Sequence, residues 1–213
     1  MNGVTFPPQL QGLPSDADIV TVTGGGNDMG YIGSMIMDSI EQYPVLRAMK
    51  WFASLFTAPA PLGAASEDET VERFGQVLDH IHSTAPTAKI LLVEYLALLG
   101  SNVTSSTKEL PLAEEQMQKF RDIAASLQRA YARAIRGRED WVALAPVAAE
   151  SQHHGIGSEE PWVDGFSLSM MLAKKVPYHP NAAGMEAVKS MCLKVLREKR
   201  WVEDGGDAGR SKL

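Results

Sequence analysis

Two short segments of this chain carry residue types that can do acyl-transfer chemistry. The first is Thr23-Gly24-Gly25-Gly26-Asn27-Asp28, directly behind an aliphatic run, DIVTVT, at 18–23. A turn at the carboxyl end of a strand is where open α/β sheets bind ligands. Its glycines invite a dinucleotide reading, but the G-x-G-x-x-G frame from Gly24 meets Met29 at its third glycine position, and the frame from Gly25 meets Asn27 at its second. No Walker lysine follows. Glycine lets the backbone turn sharply and approach a substrate, and the Asn27 amide can donate to a developing oxyanion. A plain glycine turn with a left-handed asparagine is the alternative. The second segment is Pro177-Tyr178-His179-Pro180-Asn181-Ala182-Ala183-Gly184, which sets His179 in a loop just ahead of a helix, a place suited to a general base. The other histidines, His80, His82, His153 and His154, lie on a helix end or in polar loops. His80 and His82 point from different helix faces, which does not suit a metal pair.

The elements that must position these segments follow from hydrophobic periodicity. Runs at 18–23, 89–95 (KILLVEY) and 141–147 (WVALAPV) read as strands apolar on both faces, the pattern of a parallel sheet. A helix is predicted to start at Ser66, where Ser66 and Glu69 have capping-box spacing, to bury Val71, Phe74, Leu78 and Ile81, and to end before Pro86. A second is predicted over 112–135 with Met117, Phe120, Ile123, Ala124, Leu127 and Tyr131 inward, stopping near Gly137. A last helix follows Asn181 as N-cap, with Met185, Val188, Cys192, Val195 and Leu196 inward. Between 29 and 62, Ile32, Met35, Ile36 and Ile40 suit a helix, while Trp51, Phe52, Leu55 and Phe56 complete the core or cap a cleft. The order βαβαβα implies a three-layer αβα sandwich on a mostly parallel sheet. Three strands make a thin sheet, and further sheet is expected beside the first strand.

Composition narrows the function. With 213 residues, 45% of them hydrophobic and 22% charged, the chain can bury one core, which sets disorder aside. We expect a single domain over 1–202 and a polar tail over 203–213. The net charge of −6 and the absence of a dense Lys/Arg stretch disfavour nucleic acid as a partner. One cysteine, Cys192, excludes an internal disulfide or a multi-cysteine zinc site. The longest apolar run, 90–99, is too short to span a bilayer and is interrupted by Glu94, so no transmembrane segment is expected. The opening residues have neither a basic nor an apolar signal region. Oligomeric state has no signature.

A strand leading into GGND, with HPNAAG about 150 residues later, resembles the SGNH, or GDSL-type, serine ester hydrolase family. The resemblance implies a three-layer α/β fold, flavodoxin-like in outline, lacking its first strand or strands here. It implies Asn27 as the oxyanion asparagine and His179 as the base, with Asp28 in support. The opening Asn2-Gly3-Val4-Thr5, with Gln9 and Gln11, is similar to the family's second block, which makes Gly3 the oxyanion glycine. Residues 155–163 (GIGSEEPWV) resemble the stretch before the histidine loop in secreted members. The family's acid three residues before the histidine falls on Val176, whose backbone carbonyl is then expected to orient the ring. Asp164 and Glu159 stay open for that task. The Gly-Asp-Ser block with the nucleophile has no counterpart, no G-x-S-x-G elbow replaces it, and Ser34 belongs to a helix. We therefore expect the block, and a secretion signal with it, to lie upstream. A cleft without a nucleophile, binding acylated carbohydrate or lipid, is the other reading. The substrate implied is a small-molecule ester or an acylated lipid or carbohydrate, with no metal or organic cofactor.

Overall fold

The structure, a computed structural model, describes residues 8–43, 64–101, 103–104, 109–167, 169–170 and 176–203. Three aliphatic runs form parallel strands: β1, Ile19–Val22; β2, Lys89–Val93; and β3, Val142–Ala145, in the spatial order β1-β2-β3. Val20 stands beside Ile90, and Ile90 beside Val142, which fixes the register across the sheet. The side chains of β2 alternate between two cores, as buried parallel strands require. Leu91 and Val93 join Tyr31, Met35, Phe120 and Val195 on one face. Ile90 and Leu92 join Phe74, Leu78, Leu127 and Tyr131 on the other.

Besides a 3-10 turn at Gln9–Gly12, the α-helices with bounds among the described residues are α1, Tyr31–Glu41; α2, Glu67–Thr84; α3, Glu114–Ala134; the short α4, Val147–Glu150; and α5, Ala182–Glu198. The α2 cap forms as its spacing predicts. Ser66 Oγ accepts from Glu69 N at 3.2 Å, and Ser66 N donates to Glu69 Oε2 at 2.7 Å. Packing of α2 on α3 is reinforced at the rim by Glu67, which accepts from Arg133 at 2.8 Å, Arg129 at 2.9 Å and Ser126 at 2.9 Å. The order of elements gives the expected three-layer sandwich.

Several boundaries differ from the sequence reading. β3 stops at Ala145 because Pro146 has no N–H for the ladder, and Val147 begins α4 instead of ending the strand. Met185, expected on the inner face of α5, is 59% exposed. The buried residue at that end of α5 is Gly184, against Trp162 and Leu96. Trp201 and Val202 pack on the core, close to the predicted domain end. The 51–56 aromatic and aliphatic cluster and Gly3 lie outside the described residues. No helix of the described residues is long and apolar enough to cross a membrane.

Candidate active site

The GGND turn leaves the carboxyl end of β1 and is bound down on three sides. Gly25 has φ +83°, and a Cβ there would stand 2.9 Å from both Leu127 Cδ1 and Phe74 Cζ. A Cβ on Gly26 would stand 3.0 Å from the Tyr95 ring. These glycines thus let the turn sink onto its own helices, where the sequence suggests approach to a substrate. The Tyr131 hydroxyl donates to the Gly24 carbonyl at 2.7 Å. Tyr95 is hydrogen-bonded to the main chain of Gly26, and burial pushes its phenol above the usual range. Asp28 pairs with Arg73 of α2, and its carbonyl accepts from Ala65 N at 2.7 Å, so Asp28 is a tether. The left-handed residues of the turn are Gly25 and Gly30, not Asn27. Asn27 sits exposed at the crest, and its carbonyl accepts from Gly30 N at 3.1 Å.

The histidine loop is stitched to residues 161–164 largely through backbone atoms. Asp164 N donates to the His179 carbonyl at 3.0 Å, and Tyr178 N donates to the Asp164 carbonyl at 2.9 Å. Asn181 caps α5 by accepting from Gly184 N at 2.9 Å. Its N–H donates to the Trp162 carbonyl at 3.0 Å, and its side-chain amide to the Pro161 carbonyl at 2.7 Å. A Cβ on Gly184 would lie 2.1 Å from the Trp162 carbonyl oxygen, which explains the glycine that closes HPNAAG. Trp162 in turn stacks on His154 with ring centroids 3.8 Å apart and planes 2° from parallel.

His179 Nδ1 lies 2.9 Å from a backbone carbonyl oxygen, and that carbonyl belongs to Pro177, not to Val176 as expected. Tyr178 is the reason. Its left-handed backbone, φ 62°, reverses the chain between Pro177 and His179 and folds the ring back on the carbonyl two residues earlier. A carbonyl only accepts, so Nδ1 is the donor here, and the neutral tautomer that fits this bond has its lone pair on Nε2. Asp164, open as an orienting acid, meets the loop through its main chain. Val176 is 54% exposed.

What joins the two segments is α1. It begins at Tyr31, whose N–H donates to the Gly26 carbonyl at 2.7 Å, and it carries Ser39 two turns later. Ser39 Oγ donates to the Met35 carbonyl at 2.8 Å, which uses its one proton. The Tyr178 hydroxyl therefore donates to Ser39 Oγ, a buried bond between residues 139 apart in sequence. No sequence pattern announces this pair. Glu94, at the end of β2, was also missed. Glu94 is buried, its carboxylate accepts from Ala148 N at 3.1 Å, and burial raises its pKa. Its signal is a lone charge inside the apolar run 90–99.

The glycine-asparagine turn at the end of β1 and the carbonyl-oriented imidazole beside α5 thus sit on a three-layer αβα sandwich with a parallel sheet. The chain belongs to the GDSL-like lipase/acylhydrolase family, whose pattern it matches over residues 2–187. Its fold is similar to the crystal structure of phospholipase A1 from Streptomyces albidoflavus NA297, with TM-score 0.64 and 20% identity, covering 88% of this chain and 72% of that one. It is likewise similar to an extracellular lipase from Streptomyces rimosus, with TM-score 0.62, 19% identity and the same coverages. No curated protein matches it in sequence.

Proposed function

We propose that this protein cleaves carboxylic esters of small molecules, acylated lipids or acylated carbohydrates through an acyl-enzyme, with His179 as base and Asn27 as oxyanion donor. A serine hydroxyl attacks the ester carbonyl while His179 Nε2 takes its proton. The tetrahedral oxyanion is held by the Asn27 side-chain amide and the Gly3 N–H. His179 then gives the proton to the departing alkoxide as the C–O bond breaks. Water repeats the sequence on the acyl-serine, releasing the acid. The Pro177 carbonyl takes the part that the resemblance gives to Val176, holding the tautomer with Nε2 free. The attacking serine is the one of the family's Gly-Asp-Ser block, which has no counterpart in these 213 residues.

The observation that supports this reading is the His179 ring, fixed through Nδ1 in a loop that α1 ties to the GGND turn. The test is made on the protein isolated from its native source. Its intact mass is expected to exceed 23.1 kDa. It is expected to label with a fluorophosphonate, and His179→Ala to lower kcat on p-nitrophenyl esters by about three orders of magnitude or more. His154→Ala is expected to leave kcat within about tenfold, since it acts through the Trp162 stack. A mass of 23.1 kDa with no labelling would leave a ligand-binding relative in place of an enzyme.

A further inference from the structure

Beyond α4 the chain makes a closed loop whose two ends are His154 and Trp162. Trp162 N donates to the His154 carbonyl at 2.9 Å, and His154 Nδ1 donates to the Glu160 carbonyl at 2.8 Å. The loop is seated on the segment after β2 by Ile156 N, which donates to the Leu98 carbonyl at 3.0 Å. That seat is close, since a Cβ on Gly155 would stand 2.9 Å from both Gly100 N and the Leu98 carbonyl oxygen. The His154 imidazole lies flat on the Trp162 indole, and the half-buried indole also packs on the core.

Trp162 begins the strap that carries His179. Its carbonyl accepts from Asn181 N, Val163 pairs with Pro180 in an antiparallel bridge, and Asp164 makes main-chain bonds to both Tyr178 and His179. Pro161 and Asp164 work through backbone atoms. The side chains that set where the strap lies are therefore Val163, buried in the core, and the Trp162 ring, held by the core and by His154. We infer that His154 is a positioning residue for His179: its ring holds the indole, and through the indole the strap that sets the imidazole. The inference rests on the ester-hydrolase reading above. A slightly displaced base loses rate before affinity, because proton transfer needs near-contact geometry while substrate binding is shared among many contacts.

A second histidine-tryptophan stack supplies the control. His82, in the last turn of α2, lies on Trp141 with ring centroids 4.2 Å apart and planes 12° from parallel. Trp141 directly precedes β3 at the amino end of the sheet, whereas the GGND turn leaves the carboxyl end. Losing this stack costs packing of the same kind without reaching the strap.

The experiment pairs kinetics on p-nitrophenyl butanoate with imidazole NMR, on the protein expressed from its native gene. His154→Ala is expected to lower kcat about three- to tenfold with KM within about twofold, and to shift the His179 ring nitrogen resonances. His154→Phe, which keeps a flat ring on the indole, is expected to bring kcat back to within about twofold of the parent and to return the resonances. His154→Asn, which keeps a donor for the Glu160 carbonyl and loses the stack, is expected to match His154→Ala. His82→Ala is expected to lower the melting temperature while kcat and the His179 resonances stay as in the parent. Unmoved resonances in His154→Ala, a His154→Phe protein no better than His154→Ala, or equal shifts from His82→Ala would overturn the assignment. The resonances need no turnover, so the two readings fail separately. Moved and rescued resonances with a fully active His179→Ala remove the base and keep His154 as the holder of that ring. Unmoved resonances with an inactive His179→Ala remove the role of His154 alone.

Discussion

Ser39→Ala takes away the acceptor that satisfies the Tyr178 hydroxyl inside the protein. Tyr178 is 2% exposed and Ser39 fully buried, so water does not replace the lost acceptor without opening the packing between α1 and the histidine loop. An orphaned buried donor costs about 1–3 kcal/mol. For a chain of this length, that is a fall in Tm of roughly 2–12 °C. Tyr178→Phe is milder, about 0.5–1.5 kcal/mol, because Ser39 Oγ keeps its bond to the Met35 carbonyl. The double variant removes both halves of the pair and is expected to cost less than the sum of the singles by about 0.5 kcal/mol or more. Urea denaturation followed by circular dichroism, run on all four proteins, measures the cycle. Because Tyr178 also holds the left-handed turn that folds His179 onto Pro177, the His179 ring resonances are expected to shift in both singles. A Ser39→Ala protein within about 0.3 kcal/mol of the parent, or singles that add in full, would refute the inferred donor order and the link itself.

Three further outcomes follow from contacts described above. Gly184→Ala drives a Cβ into the Trp162 carbonyl oxygen and is expected to cost about 3 kcal/mol or more in urea denaturation, whereas Ala183→Gly, at an exposed position, costs about 1 kcal/mol or less. Burial raises the Glu94 pKa, so the proton stabilises the folded state below the ordinary carboxylate range and that contribution fades as pH climbs through the raised value. Thermal melts are expected to show Glu94→Gln gaining on the parent from pH 4 to pH 8, while Glu94→Ala orphans Ala148 N and loses about 1–3 kcal/mol throughout. Glu67 shows the opposite sign. Arg133, with Ser126 and Arg129, holds its pKa down to about 2, so its stabilisation is complete above the ordinary value of 4.5 and is lost as pH falls toward 2. The melting temperatures of Glu67→Gln and the parent are expected to converge over that window, and parallel curves would contradict the network.

Periodicity carried most of the fold. The three strands, the Ser66 capping box and the inner stripes of α2 and α3 appear where apolar spacing places them, because each element buries one continuous face, except that Thr70 and not Val71 is buried in the first turns of α2. Strand ends were less legible. Glu94 and Tyr95 look like a continuation of β2, and Pro146 with Val147 like a continuation of β3, until Pro146 withholds its N–H and α4 starts. At the site, residue types marked Asn27 and His179, but their supports were hidden for three reasons. The ring's partner is a carbonyl, which every residue has. The Tyr178–Ser39 bond joins positions 139 apart that share no motif. The glycines that suggest room for a ligand are filled by Phe74, Leu127 and Tyr95.

Holding the histidine loop by main-chain atoms leaves its neighbours free to drift. Pro161 and Trp162 offer carbonyls, and Asp164 offers both its N–H and its carbonyl, groups that survive almost any substitution. Asn181 and Gly184 are different, since one works through its amide and the other through having no side chain at all. A saturation scan would therefore find 161 and 164 permissive, 162 restricted by its ring stack and core contacts, Val163 restricted to apolar residues by its burial, and 181 and 184 nearly fixed. Diverging chains can thus keep the loop's shape while their sequences around it become unrecognisable, with only the asparagine and the glycine left to mark the place.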